Sequence, residues 1–234
     1  NKIVVALAAM LCCALWGSAF PVIKIGYKFF NISGVDTASQ ILFAGVRFLI
    51  AGFLTILLGS IFADKFIVIK KKENFKKVGI LAIFQTILQY VFFYVGLAHT
   101  TGTKSSVLDS TSVFFAVLIS CLIFKMEKLS VNKIIGCIIG FAGVVLINIT
   151  PGVSLGSFKF NGEGFIIISA LSYAFSSVLV SNYSKDESPV ALSGYQFMLG
   201  GGVMIIAGLL FGGRLKFTSL PSYAVVMYLA LLSA

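Results

Sequence analysis

The chain has 234 residues, of which 59% are hydrophobic and only 11% charged, and it carries a net charge of +10 at neutral pH. Soluble domains hold about 25% charged residues, so this composition excludes an ordinary water-soluble fold. Nor does the positive charge read as a nucleic-acid surface, because the lysines gather in short connections between long apolar runs.

A helix needs about 20 mostly apolar residues to cross a hydrocarbon core of about 30 Å, and only helices close their backbone hydrogen bonds within one segment. The first run long enough is Ile3–Ile23, too long and too early interrupted by Trp16 and Pro21 for a cleavable signal peptide. Pro21 has no N–H to donate to Gly17, so a kink or break is expected beside Trp16. It reads as a packed kink or as the kind of interruption that marks a carrier's site.

Span two, Ala38–Phe62, holds Arg47 near mid-membrane, where a charge costs about 2.5–3.5 kcal/mol on insertion scales. Arg47 is either a structural lock or a substrate contact. Span three, Val78–Leu97, carries Gln85 and Gln89 on one face, with Tyr90 beside them and Phe92 and Phe93 a turn on. His99 follows in what reads as a solvated outer turn. Span four, Ser105–Phe124, puts Ser105, Asp109 and Ser112 on one face, Asp109 about a turn below the outer end. That carboxylate reads as a hydrogen-bonding group or as the carrier of a coupling proton; whether it pairs with Arg47 is left open. Glu127, among lysines at the inner end, reads as an interfacial salt-bridge partner.

Span five, Val131–Ile149, is glycine-rich and ends at Thr150-Pro151-Gly152, the expected boundary between two halves. Span six, Phe165–Tyr183, bears Ser169, Tyr173 and Ser176 at helical spacing, the serines reading as packing groups. Span seven, Val190–Phe211, follows Ser188-Pro189, a helix-start signal, and an eighth run opens after Leu220-Pro221 and continues from Tyr223 to Ala234. Gly136/Gly140, Gly200–Gly202 and Gly208/Gly212 have the small-residue spacing of close helix contact. Cys12, Cys13, Cys121 and Cys137 all lie in spans without metal-ligand spacing, so no metal site, disulfide framework or cofactor is expected.

Lys65, Lys70, Lys71, Lys72, Lys76 and Lys77 crowd the connection between spans two and three, and Lys2, Lys125, Lys128, Lys133 and Lys185 fall on the same side. The other side has fewer, namely Lys24, Lys28, Lys104, Lys159, Arg214 and Lys216. The positive-inside rule therefore puts the N-terminus and the loop Asp64–Lys77 in the cytoplasm of a multi-pass, plasma-membrane protein.

Two halves resemble one another. Ala44-Gly45-Val46-Arg47-Phe48-Leu49-Ile50-Ala51-Gly52 aligns with Ser193-Gly194-Tyr195-Gln196-Phe197-Met198-Leu199-Gly200-Gly201, and Gly59 with Gly208 at the same offset. Each unit then holds five spans, and an odd number inverts the second copy, the architecture of many secondary transporters. The reading is an all-α polytopic membrane protein: residues 1–150 form a first five-helix unit and 160–234 a second, cut in its third helix. Ten helices are expected when complete, about seven and a half here.

Ala14-Leu15-Trp16-Gly17-Ser18 with Lys24, then Arg47-Phe48, resembles the opening helices of the EamA-type drug/metabolite transporters. Lys125-Met126-Glu127-Lys128-Leu129 is similar to that family's stretch after helix four, with Met126 where a glycine is usual, and Gly136, Gly140 and Gly143 match its helix five. The resemblance implies a ten-helix secondary carrier that moves small metabolites, often outward, without ATP. The alternative from the residues is a membrane-embedded enzyme acting on a lipid-soluble substrate, but no clustered nucleophile, base or metal ligands support it. A substrate cavity lined by Trp16, Gln85, Gln89, Tyr90, Asp109 and Tyr173 is expected, with Pro21, Arg47 and Glu127 in structural or gating roles. Neutral polar groups among aromatics suit amino acids or other amphipathic solutes. The expected partners are that small molecule, the lipid bilayer and a coupling proton or ion.

Overall fold

The structure, a computed structural model, describes residues 2–69, 71–126, 128–148, 158–216 and 220–233. Among them every regular element is a helix: α1 (Lys2–Phe29), α2 (Thr37–Phe62), α3 (Asn74–His99), α4 (Gly102–Ile123), α5 (Val131–Asn148), α6 (Phe160–Tyr183), α7 (Pro189–Leu210) and α8 (Leu220–Ser233). Six of these contain stretches long and apolar enough to cross a membrane, while α5 and α8 contribute shorter apolar helices. This is an all-α polytopic membrane protein.

Local sequence sets the helix ends. Asn31 takes the left-handed conformation (φ 52°) where α1 stops, and Gln40 Nε2 donates to Ser33 O (2.9 Å) and Gly34 O (3.1 Å), tying down the turn into α2. Asp36 caps α2 by accepting from the Ser39 N–H (3.0 Å), and Thr101 caps α4 by accepting from Lys104 (3.2 Å). Pro189 opens α7 in its first turn, where a missing N–H is harmless. α1 runs through Pro21 as a continuous helix, so the break expected there is absent.

The tightest packing joins α2 to α7. A Cβ on Gly52 would sit 2.6 Å from Gly194 O and 2.7 Å from Met198 N; one on Gly201 would meet Leu49 N at 2.6 Å. Only glycine permits backbones this close. Leu42 meets Gly208, Gly45 meets Gly201, Gly52 meets Gly194 and Gly59 meets Val190, so partners descend along α7 as positions ascend along α2. The two helices are antiparallel. Of the other predicted contact glycines, Gly140 packs on Phe114, but Gly136, Gly202 and Gly212 have nothing within 4 Å of a would-be Cβ. Small-residue spacing marks a helix that can be approached, and a neighbour must still be there.

A core of Phe43, Phe48, Tyr94, Leu97 and Ile166 fills the space between α2, α3 and α6. By contrast, Leu7, Met10 and Leu11 on α1 and Ile135, Ile138 and Ile139 on α5 are exposed, apolar surface suited to lipid. The helices on the polar side are less regular. α3 widens into a π-helical stretch over Ala82–Leu88, α6 begins with one over Phe160–Gly164, and α4 turns at Ser110–Thr111 and widens again at Ile119–Ile123. Such stretches disturb the regular backbone ladder. Ser172 Oγ on α6 donates to Phe84 O (2.6 Å), supplying a partner to a carbonyl inside the wide turn of α3.

Candidate functional site

Arg47 lies buried on the inner face of α2. Its Nη1 donates to Tyr94 OH (2.7 Å), its Nε donates to Leu229 O (3.1 Å), and its guanidinium carbon stands 4.7 Å from the Phe48 ring centre. Tyr94 OH in that bond accepts, while Tyr27 OH donates to Tyr94 O (3.0 Å), linking α1, α3 and α2. A carbonyl, a phenol and an aromatic face thus hold the guanidinium. Among the described residues no ion pair joins Arg47 to Asp109.

Beside Arg47 is a cavity of about 170 Å³ lined by Trp16, Ala19, Arg47, Gln85, Tyr90, Tyr173, Phe197 and Leu232. Trp16 and Tyr173 rings lie 5.4 Å apart and Tyr90 packs 4.0 Å from Phe48, so the walls are aromatic with few polar groups between them. Gln85 Oε1 is buried with no hydrogen-bond partner among the described residues. A larger pocket of about 500 Å³ opens between α4, α6 and the start of α5, lined in part by Ser112, Ser120, Lys133, Ser177 and Ser181. Tyr173 stands in the wall of both.

Trp16, Gln85, Tyr90 and Tyr173 thus come together around one space, with Arg47 at its edge. Gln89 and Asp109 are not among its lining residues; both are buried, at 2% and 6% exposure. Asp109 is within electrostatic reach of Tyr90 and Tyr173. Pro21 faces a separate groove with Lys24, Thr103 and Ser106. Glu127 lies outside the described residues. His99 is no loop residue: it closes α3, half-buried, with Nδ1 donating to Val95 O (2.8 Å). Among the described residues no three His, Cys, Asp or Glu side chains gather as a metal site.

Comparison with known proteins supplies the context for this arrangement. The model of the EamA-like transporter family matches residues 3–149, well over half of the chain. The protein belongs to the EamA-like transporter family. An "uncharacterized transporter" of Archaeoglobus fulgidus is 30% identical over 192 residues, covering 81% of this chain and 53% of that protein. The "uncharacterized inner membrane transporter YedA" of Escherichia coli K12 is 29% identical over 228 residues, covering 93% of this chain and 66% of its own length. The chain therefore spans between about half and two thirds of the length of these relatives. No solved structure matches it.

This EamA-like chain also holds polar ties that the sequence reading passed over. At one end of the bundle Glu163 accepts from Thr100 Oγ1 (2.9 Å) and the Lys159 N–H (2.9 Å), and pairs with Lys104 (3.6 Å), while Lys24 Nζ donates to Thr100 O (2.7 Å). At the other end Asn74 Nδ2 donates to Glu187 (2.7 Å) and Lys77 pairs with Asp186 (3.0 Å). Glu163 had a legible signal, a lone acid between two glycines in the first turn of a span. Gln196 had another: it occupies the position matching Arg47 in the second half, and both of its amide atoms are buried without a partner among the described residues.

Proposed function

We propose that this EamA-like protein is a secondary carrier of small amphipathic metabolites, amino acids among them, moving them outward across the plasma membrane with its N-terminus in the cytoplasm. The observation that carries the reading is the aromatic cavity of Trp16, Tyr90 and Tyr173, with Gln85 and Arg47 as its polar groups, sharing Tyr173 with a larger pocket. Aromatic faces suit the apolar part of such a solute, and the amide and guanidinium edges suit its polar end.

In this reading residues 1–150 and 160–234 belong to two inverted units. The seam supports the inversion: Gly45 corresponds in sequence to Gly194 and Gly52 to Gly201, and Gly45 touches Gly201 just as Gly52 touches Gly194. Exchange of equivalent positions across antiparallel helices is what a two-fold axis in the membrane plane produces. The Glu163 cluster then ties the outer ends of α1, α3, α4 and α6, while the larger pocket leads past Ser181 toward Met126 and Lys133 on the lysine-rich side. An inward-facing state of an alternating-access carrier has that pattern.

The test is transport and binding together. Purified full-length protein is screened against a panel of amino acids and related metabolites by thermal stabilisation, since a ligand that binds only the folded form raises the melting temperature. Hits are then followed in everted vesicles. Tyr173→Ala is expected to lower both stabilisation and flux at least tenfold while membrane levels stay normal. Full flux with Tyr173→Ala and Gln85→Ala combined would remove the cavity from the pathway.

A further inference from the structure

Three helices bury oxygen atoms at one level, a turn away from the cavity. α4 and α6 run side by side in the same direction: Lys104 and Thr101's neighbour Thr100 meet Glu163, and further along Ser112 and Tyr173 line one pocket. That register sets Asp109 opposite Ser169. α3 and α6 run in opposite directions, Thr100 meeting Glu163, Phe92 packing on Phe165 (5.1 Å between ring centres) and Phe84 O accepting from Ser172. That register sets Gln89 beside Ser169. Ser105 lies one turn along the same face of α4 as Asp109.

All four side chains are withdrawn from solvent, with 6% exposure for Asp109, 2% for Gln89 and none for Ser105 and Ser169. Gln89 Oε1, Ser105 Oγ and Ser169 Oγ have no hydrogen-bond partner among the described residues. No ion pair is formed by Asp109 among them either. Unpaired polar atoms at this depth are costly, and in native structures each calls for an explanation.

We propose that Asp109, Gln89, Ser105 and Ser169 form a binding site for a small monovalent cation, sodium, between α3, α4 and α6. The chemistry of the set selects the occupant. A carboxylate, an amide oxygen and two hydroxyl oxygens are hard donors, suited to hard cations and poorly suited to zinc or copper. One carboxylate neutralises one positive charge, so a sodium ion leaves the buried site neutral, whereas a divalent ion would leave a net charge inside the membrane. Tyr90 and Tyr173 line the cavity, and both are within electrostatic reach of Asp109. Cation binding is thereby placed to influence the solute-facing rings. The inference rests on the carrier reading for its purpose, but its binding test does not.

Purified full-length protein is titrated with sodium chloride against choline chloride at constant ionic strength, following melting temperature. Saturable stabilisation by sodium is expected, with choline inert. Asp109→Asn should abolish it, and Ser169→Ala, a milder change, should weaken the apparent affinity about tenfold. Equal stabilisation by choline, no response to sodium, a response to pH alone, or an unchanged sodium response in both variants would overturn the site. Solute flux in sodium-free vesicles with no sodium binding would remove this inference and leave the carrier standing. Sodium binding without flux of any solute in the panel would do the reverse.

Discussion

The α2–α7 seam and the α3–α4–α6 wall are both helix contacts within one bundle, yet they are built on opposite rules. In the seam, glycines bring backbone to backbone so closely that a single added carbon would clash at 2.6–2.7 Å. In the wall, helices widen into π-helical turns and bury Gln85, Thr86, Gln89, Ser105 and Ser169 with oxygens that lack partners among the described residues. Gln196 is the seam helix's exception, a buried amide on α7. A seam of touching backbones has one geometry, whereas helices interrupted by π-helical turns hold polar atoms inside the bundle that other helix backbones do not claim.

The largest effect should come from spoiling the seam. Gly52→Val places side-chain atoms into Gly194 O and Met198 N, neither of which can rotate away. A loss of about 3 kcal/mol or more is expected, read as collapse of folded yield in detergent. Gly136→Ala, with nothing within 4 Å, is the matched control and should be neutral or stabilise by about 0.5 kcal/mol. Equal damage at both positions would break the comparison, because then glycine itself, and not the close approach, matters.

Next comes the junction between seam and wall. Tyr94→Phe removes the hydroxyl that accepts from Arg47 Nη1 at 2.7 Å and leaves a buried charged donor short of one partner. About 1–3 kcal/mol of stability should be lost, measured by thermal unfolding. A neutral result would mean that Arg47 is held by its other contacts and that the junction is not rigid.

Orientation decides which end of the wall opens to the cytoplasm. Single cysteines at Lys71 and Lys159, with Cys12, Cys13, Cys121 and Cys137 replaced, should label differently in intact cells with an impermeant thiol reagent. Labelling at 159 and protection at 71 is the expected result; the converse reverses the proposed topology.

The smallest effect belongs to the exposed Lys77–Asp186 pair (3.0 Å). The Lys77 ammonium holds the Asp186 carboxyl below the ordinary carboxylate range. A lowered carboxyl value means the pair's small contribution is present at neutral pH and is lost as pH falls through the lowered folded-state value. Lys77→Gln should flatten that acid limb slightly and leave neutral-pH stability unchanged within error. Strong destabilisation at pH 7 would show that this end of α3 is fastened as firmly as the seam.

Much of this was legible before any coordinates. Apolar length alone locates the eight helices, because lipid offers the backbone no partner and forces each run to close its own hydrogen bonds. The repeated Gly-x-x-Phe-x-x-x-Gly pattern singled out α2 and α7, and Ser188-Pro189 placed the start of α7. Arg47 stood out because an ion in a span needs a reason. What the sequence left undecided was who meets whom. Gln85 faces the cavity while Gln89, one turn away, is buried beyond its lining; Arg47 is held by a tyrosine and a carbonyl rather than by Asp109. Gly201 is pinned while its neighbour Gly202 is free. A period of 3.6 residues assigns side chains to one side of a helix, but only the packing of the other helices determines whether that side meets a backbone, a cavity or lipid.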